Sequence, residues 1–185
     1  MKRTSLCQAI SCLSILFVCL VQQPLAQQSA SSVESGFRTE FLNHFNASSR
    51  KMLSLAEAMP AEKYSWRPGE GVMSVAEVFT HVAETDLHYV SRSLDRKPTP
   101  DLDPSTIGGL RDKDQVVAAL RKTFDFVRQT VEQMNESDMQ KTTTLYGRPS
   151  TYRNVLLQLL HHSSEHVGQS IAYARMNGIA PPWSR

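Results

Sequence analysis

The sequence predicts an all-α domain, a four-helix bundle with long connections between its helices, over residues 36–185. Three observations lead to this fold class. Apolar residues recur at helical spacing in four separate segments. The intervening segments are rich in Gly, Pro, Asp, Ser or Thr. No stretch shows the sustained alternation of apolar and polar residues that is typical of a half-buried β-strand.

The start of the chain has the order of a secretory signal peptide, which we assign to residues 1–26. Lys2 and Arg3 precede an apolar run that is shorter than the roughly 20 residues of a membrane span. We therefore expect cleavage near Ala26, a disordered polar leader over residues 27–35, and no stable membrane insertion afterwards. The mature protein is predicted to be exported to the periplasm or the extracellular space.

Cleavage of this leader would remove every thiol and balance the charge of the chain. Cys7, Cys12 and Cys19 all precede the cleavage point, so a disulfide, a cysteine-ligated zinc site or a cysteine nucleophile is excluded from the mature protein. The leader also holds two of the 20 basic residues and none of the 18 acidic ones, which leaves a net charge of zero. Nucleic-acid binding is disfavoured, because it needs clustered positive charge.

The first two predicted helices lie in the N-terminal half of the domain. The first runs from about Phe37 up to Pro60, and the second begins after Ser74, which forms a capping box with Glu77, and ends near Leu94. The apolar face of the first consists of Phe37, Phe41, Phe45, Ser48, Met52, Leu55 and Met59. That of the second consists of Val75, Val78, Phe79, Val82, Tyr89 and Val90.

The third and fourth predicted helices complete the bundle. Asp112 and Gln115 offer a capping box for the third, and the fourth runs from about Thr151 to Asn177, where Gly178 ends it. The apolar face of the third consists of Val116, Leu120, Phe124, Val127, Val131 and Met134. The fourth is apolar over a wider arc made by Val155, Leu156, Leu159, Leu160, Val167, Ile171 and Tyr173.

Two histidines share the apolar face of the fourth helix. His162 and His166 lie at the centre of that face, whereas His161 points nearly the opposite way. This spacing lets two imidazoles reach one metal ion, and the alternative is a pair of core histidines that each find a hydrogen-bond partner. A third ligand has to come from another helix. Periodicity leaves two candidates open, His81 on the flank of the second helix and His44 on the apolar face of the first.

Four segments together resemble a known family. They are YSWRP at residues 64–68, SVAEVFTHVA at 74–83, HSSEHVGQ at 162–169 and YARMNGIAPP at 173–182. In order and spacing they resemble the DinB/YfiT-like superfamily, four-helix bundles that hold a divalent ion with three histidines. The similarity covers essentially the whole mature chain. The resemblance implies His81, His162 and His166 as the metal ligands, and it thereby favours His81 over His44.

The resemblance also implies a function class. We expect a metal-dependent enzyme of hydrolase or transferase type, with Zn, Ni, Fe or Mn as the ion, an open coordination position, an unidentified small-molecule substrate and a homodimeric assembly. Some members are thiol-dependent S-transferases, but the predicted export argues against that activity because cytosolic thiols are scarce outside the cell. A non-catalytic helical binding module is the remaining alternative.

Further side chains are candidates for supporting the metal ligands. Gln169, Glu165 and Glu84 are predicted to accept the second N–H of the imidazoles, with Gln169 nearest to the centre of the histidine face. The loop segment 64–67 either walls a pocket or plugs the end of a helix, and we favour the plug. His88 is expected at the surface, as is His161.

Overall fold

The computed structural model describes residues 36–184, and this part of the chain is predominantly helical. The predicted signal peptide and the polar leader lie outside the described residues. Among the helices of the described range, none is both long and apolar enough to cross a lipid bilayer.

Four long helices occur where the sequence predicts them, and a short fifth helix lies between the second and third. They are α1 (Phe37–Ala58), α2 (Val75–His88), the short α3 (Pro104–Ile107), α4 (Lys113–Glu132) and α5 (Tyr152–Met176). A π-helical turn, Tyr89–Ser93, continues α2 to the predicted end of that helix.

Side-chain caps fix where three of the four long helices begin. Ser74 and Glu77 form the predicted capping box of α2, in which the Ser74 N–H donates to Glu77 Oε2 at 2.7 Å. At the start of α4 the Asp112 carboxylate accepts the Gln115 N–H, and at the start of α5 the Thr151 hydroxyl accepts the N–H of residue 154. Each cap satisfies a backbone donor that the first helical turn leaves without a partner.

The four long helices form a ring in which sequence neighbours are not always spatial neighbours. α1 packs against α4 and α5, and α2 packs against the same two helices. The connections from α1 to α2 and from α4 to α5 therefore cross the ring from one corner to the opposite one. This topology explains why those connections are long, and it sets α2 beside α5.

The core is built from the predicted apolar faces. Every predicted core residue of α2 and of α4 is buried. On α1, the Phe41 and Phe45 rings stack with centroids 5.5 Å apart, and Phe45 meets the ring of Phe124 edge-on at 5.7 Å. The buried arc of α1 extends towards Ser49, which is 4% exposed. His44 lies beyond the other edge of that arc and is exposed, so its predicted place on the buried face is wrong.

A β-hairpin interrupts the predicted all-α architecture. β1 (Thr142–Leu145) and β2 (Arg148–Thr151) pair antiparallel within the last long connection. The expectation that the domain lacks strands is wrong here, because two strands of four residues each, TTTL and RPST, are too short to show alternation. Tyr146 and Gly147 form the turn with φ angles of 52° and 75°, the left-handed region that two-residue hairpin turns require.

The loop before α2 acts as the predicted plug. The Tyr64 ring is 2% exposed and its hydroxyl donates to the Ala56 carbonyl at 2.7 Å, which closes the end of α1. Trp66 meets the ring of Tyr173 edge-on with centroids 5.4 Å apart. Arg67 contacts a carboxylate oxygen of Glu77 at 3.2 Å. These contacts join the loop to α1, α2 and α5.

Candidate metal centre

Three histidines meet where α2 packs against α5. His81 Nε2 lies 3.0 Å from His162 Nε2, and the ring centroids of His162 and His166 are 4.6 Å apart. One ring nitrogen from each histidine lies within 4.8 Å of those of the other two. All three side chains are half-buried. The structure thus brings together the three residues that the sequence and the resemblance single out, and His44 is not among them.

The spacing of the His81 and His162 nitrogen atoms fits a single ion. A metal–imidazole bond of about 2.0–2.1 Å allows two ligand nitrogens to be up to roughly 4 Å apart. The 3.0 Å between the Nε2 atoms of His81 and His162 falls within this limit. Without an ion, two Nε2 atoms at this distance can only share one proton, as donor and acceptor. With an ion, both lone pairs would point at it.

A directed chain of hydrogen bonds sets the tautomer of His166. The Tyr173 hydroxyl donates to the Met73 carbonyl at 3.1 Å, and Gln169 Nε2 then donates to the Tyr173 oxygen at 3.0 Å. The Gln169 amide is thereby oriented with its Oε1 towards His166 Nδ1, at 2.7 Å. Because that oxygen can only accept, Nδ1 carries the proton of the neutral ring. The lone pair of His166 Nε2 is left free for a metal ion.

The surroundings keep two of the imidazoles neutral. Burial, followed by the neighbouring His166 and His81, lowers the pKa of His162 to about 4. Burial and then His166 also lower the pKa of His81, an effect that Glu84 partly opposes. At neutral pH these rings are therefore uncharged, which is the form that binds metal. His162 Nδ1 is buried and has no hydrogen-bond partner within residues 36–184.

The three residues predicted to support the metal ligands differ in which histidine they contact. Gln169 contacts His166 directly, as described above. Glu165 lies one position before His166, so the helix turns it away; its side chain is 59% exposed and lies 3.4 Å from His161. Glu84 lies 3.6 Å from His88 and acts on His81 only through its charge. As predicted, His161 is exposed, whereas His88 is half-buried.

A buried acid beside the histidines was missed by the sequence reasoning. Asp86 is fully buried on α2, and Ser163, the neighbour of His162, donates its hydroxyl to the Asp86 carboxyl at 3.3 Å. Burial raises the pKa of Asp86 well above its ordinary value, and the hydrogen bond from Ser163 only partly offsets this. The signal was present in the sequence, because Asp86 lies four residues after Val82 and four before Val90 on one buried face.

Removing the Gln169 oxygen is expected to weaken metal binding. Gln169→Leu leaves His166 free to rotate and to exchange tautomers, so we expect about a 10- to 100-fold loss of affinity. Gln169→Glu retains an acceptor at Nδ1 and should restore most of that affinity. Competition with a fluorescent chelator measures both variants. Equal affinities of the leucine variant and the original protein would show that the hydrogen bond does not support the ligand.

Comparison with known proteins places these features in a family. The sequence model of the DinB superfamily matches residues 44–170. The uncharacterised protein YjoA of Bacillus subtilis strain 168 is 27% identical over 149 residues, which is 76% of this chain and 88% of YjoA.

Two crystal structures share the fold. A DinB-like protein from Bacillus cereus ATCC 10987 superimposes with a TM-score of 0.68 at 17% identity, over 77% of this chain and 93% of that one. Bacillus subtilis YjoA, also described as DinB-like, gives 0.58 at 22% identity, over 75% and 92%.

Proposed function

Because this chain belongs to the DinB superfamily, we propose that it is a metal-dependent enzyme of hydrolase or transferase type. In this proposal His81, His162 and His166 bind one divalent ion. The observation that carries it is the hydrogen-bond chain from Met73 to His166. That chain presents an unprotonated Nε2 beside two other imidazoles. A core histidine would also form hydrogen bonds, but three converging imidazoles, one of which has its Nε2 lone pair left free, are the arrangement that a single ion needs.

The donor set suits several metals. Three neutral imidazoles bind Zn, Ni or Fe well, and Mn is also compatible, so the ion that is bound depends on geometry and supply. When bound, an ion with three protein ligands keeps a position for water or substrate, where it can lower the pKa of water towards about 7 or polarise a carbonyl.

The protein's own residues prepare this centre. Gln169 holds the ring of His166 in one orientation, and burial keeps His162 uncharged. The ring of Tyr89 lies edge-on to that of His162, with centroids 6.1 Å apart.

The binding of a divalent ion to the folded protein should raise its melting temperature. An ion present at about a hundred times its dissociation constant stabilises the folded state by about 2.7 kcal/mol. Thermal unfolding of chelator-treated protein with each of Zn²⁺, Ni²⁺, Fe²⁺ and Mn²⁺, together with elemental analysis for one ion per chain, tests the proposal. No stabilisation by any of these ions would favour a non-catalytic helical module.

We further propose that the protein is exported, on the basis of the leader-like sequence of residues 1–26. Cell fractionation followed by mass spectrometry of the N-terminus tests this proposal. Export predicts a chain that begins near residue 27 outside the cytoplasm. A full-length chain in the cytosol would contradict it and would renew interest in thiol-dependent transfer.

A further inference from the structure

We propose that a cleft between the end of α2 and the β1–β2 turn binds a small anionic molecule with an apolar body, and that Arg92 holds its anionic group. This inference rests on the proposed function for the role of that molecule, which would be the substrate of the metal centre. The binding itself depends only on the residues of the cleft.

The cleft adjoins the three histidines. Thr85 lines it and lies one helical turn after His81 on the same side of α2. Tyr89 also lines it, and the ring centroid of Tyr89 lies 6.1 Å from that of His162. A molecule in the cleft would therefore lie within about one side chain of the metal centre.

The cleft is held open by the fold. Its volume is about 360 Å³, which lies within the range of small-molecule sites. The Thr143 hydroxyl donates to the Ser93 carbonyl at 2.6 Å, and the hydroxyls of Tyr89 and Tyr146 are in contact. These two contacts fix the hairpin to the π-helical turn that follows α2. Single π-helical turns within helices are frequent at functional sites, and here the turn presents Tyr89 and Arg92 to the cleft.

The cleft carries a positive charge that the protein does not neutralise. Arg92 is exposed, and its guanidinium has no ion-pair partner in the described range, whereas Arg67, Arg121 and Arg128 each contact a carboxylate. No acidic side chain lines the cleft. A guanidinium offers two parallel N–H donors, which match a carboxylate or a phosphate. An anionic group is thus the chemistry that this cleft is suited to bind.

The opposite wall is apolar and includes a strained residue. Leu145 and the ring of Tyr146 face the cleft, and Tyr146 is 72% exposed. At a φ of 52°, Tyr146 occupies a turn position that favours Asn, Asp or Gly. A bulky side chain at such a position costs conformational energy, and such strain is concentrated at functional sites. The aromatic ring gives the anion's apolar body a flat surface to stack on.

Three small probes test the proposal by NMR titration of the purified full-length protein. Benzoate and phenyl phosphate carry an anionic group on an aromatic ring, and benzamide is their neutral counterpart. We expect at least one of the two anions to bind about tenfold more tightly than benzamide. Its binding should shift the backbone amide signals of residues 144–147. Arg92→Gln should remove the difference in affinity between that anion and benzamide. Arg92→Lys should retain part of it. Arg96→Gln, at an exposed arginine outside the cleft, is the charge-matched control and should leave the affinities unchanged.

The outcomes separate this inference from the proposed function. Equal affinities for the anions and benzamide, or anion affinities that Arg92→Gln does not lower, would overturn the anion site whether or not metal binds. The titration is repeated after chelator treatment. If an anion still binds more tightly than benzamide, and Arg92→Gln still removes this difference in affinity, the result supports the site. If the protein then also proves to bind no divalent ion, the metal proposal fails while the anion site stands.

Discussion

Replacing both His162 and His166 with alanine is expected to leave the purified protein without bound metal. The change removes two of the three imidazoles that converge between α2 and α5, and a single histidine is a weak ligand on its own. Loss of one supporting hydrogen bond already costs about 10- to 100-fold in affinity, so the loss of two ligands should cost well over about a hundredfold. Elemental analysis after equilibrium dialysis measures the effect.

The matched control removes two other histidines. His44→Ala combined with His161→Ala changes the same residue type twice at exposed positions, one on α1 and one on α5. This variant should retain one ion per chain. If both double variants bind the same amount of metal, the ion is held elsewhere and the proposed centre is wrong.

The second large effect is expected at Asp86, where an asparagine should change the pH dependence of stability. Burial raises the pKa of Asp86, so the folded protein keeps its proton at a pH where the unfolded chain has released it. Tighter binding of this proton in the folded state stabilises the protein. The stabilisation is fully present below the pKa of Asp86 in the unfolded chain, about 3.9, and is lost as pH rises towards its pKa in the folded protein. The loss reaches at most about 1.4 kcal/mol per pH unit.

Asparagine has nearly the same shape and does not titrate, so Asp86→Asn should become progressively more stable than the original protein as pH rises above about 4. Urea unfolding at a series of pH values, without metal, gives the difference in free energy. Asp95→Asn makes the same change of residue type at an exposed position and is the control. A constant difference between Asp86→Asn and the original protein across the series would show that Asp86 is ionised in the folded state.

The long helices could be predicted because their positions are determined locally. A buried stripe at helical spacing and a cap such as Ser74 or Asp112 are both properties of consecutive residues. The hairpin could not, since its pairing depends on a contact between strands of four residues and on the bond from Thr143 to Ser93. The prediction that His44 is buried is wrong because periodicity gives the direction of a side chain around its helix. It does not give the exact arc that neighbouring helices cover.

The same distinction applies to the metal centre. The pair on α5 follows from spacing within one helix, and so does the position of Gln169 near it. Choosing His81 over His44 required the family resemblance, because no local pattern tells which two helices will be adjacent. Asp86 shows the reverse case: its position among buried residues was readable, but the burial of an acid has meaning only once its partner Ser163 on another helix is known.

The corner-to-corner connections determine when during folding the metal centre can form. His81 and His162 are 81 residues apart in the chain, and they meet only when α2 settles beside α5. A partly folded chain can offer at most the pair on α5, since contacts this distant in sequence form after long loops have closed. Tight metal uptake is therefore expected to require the completed packing of α2 on α5, and an ion once bound would resist the separation of these two helices.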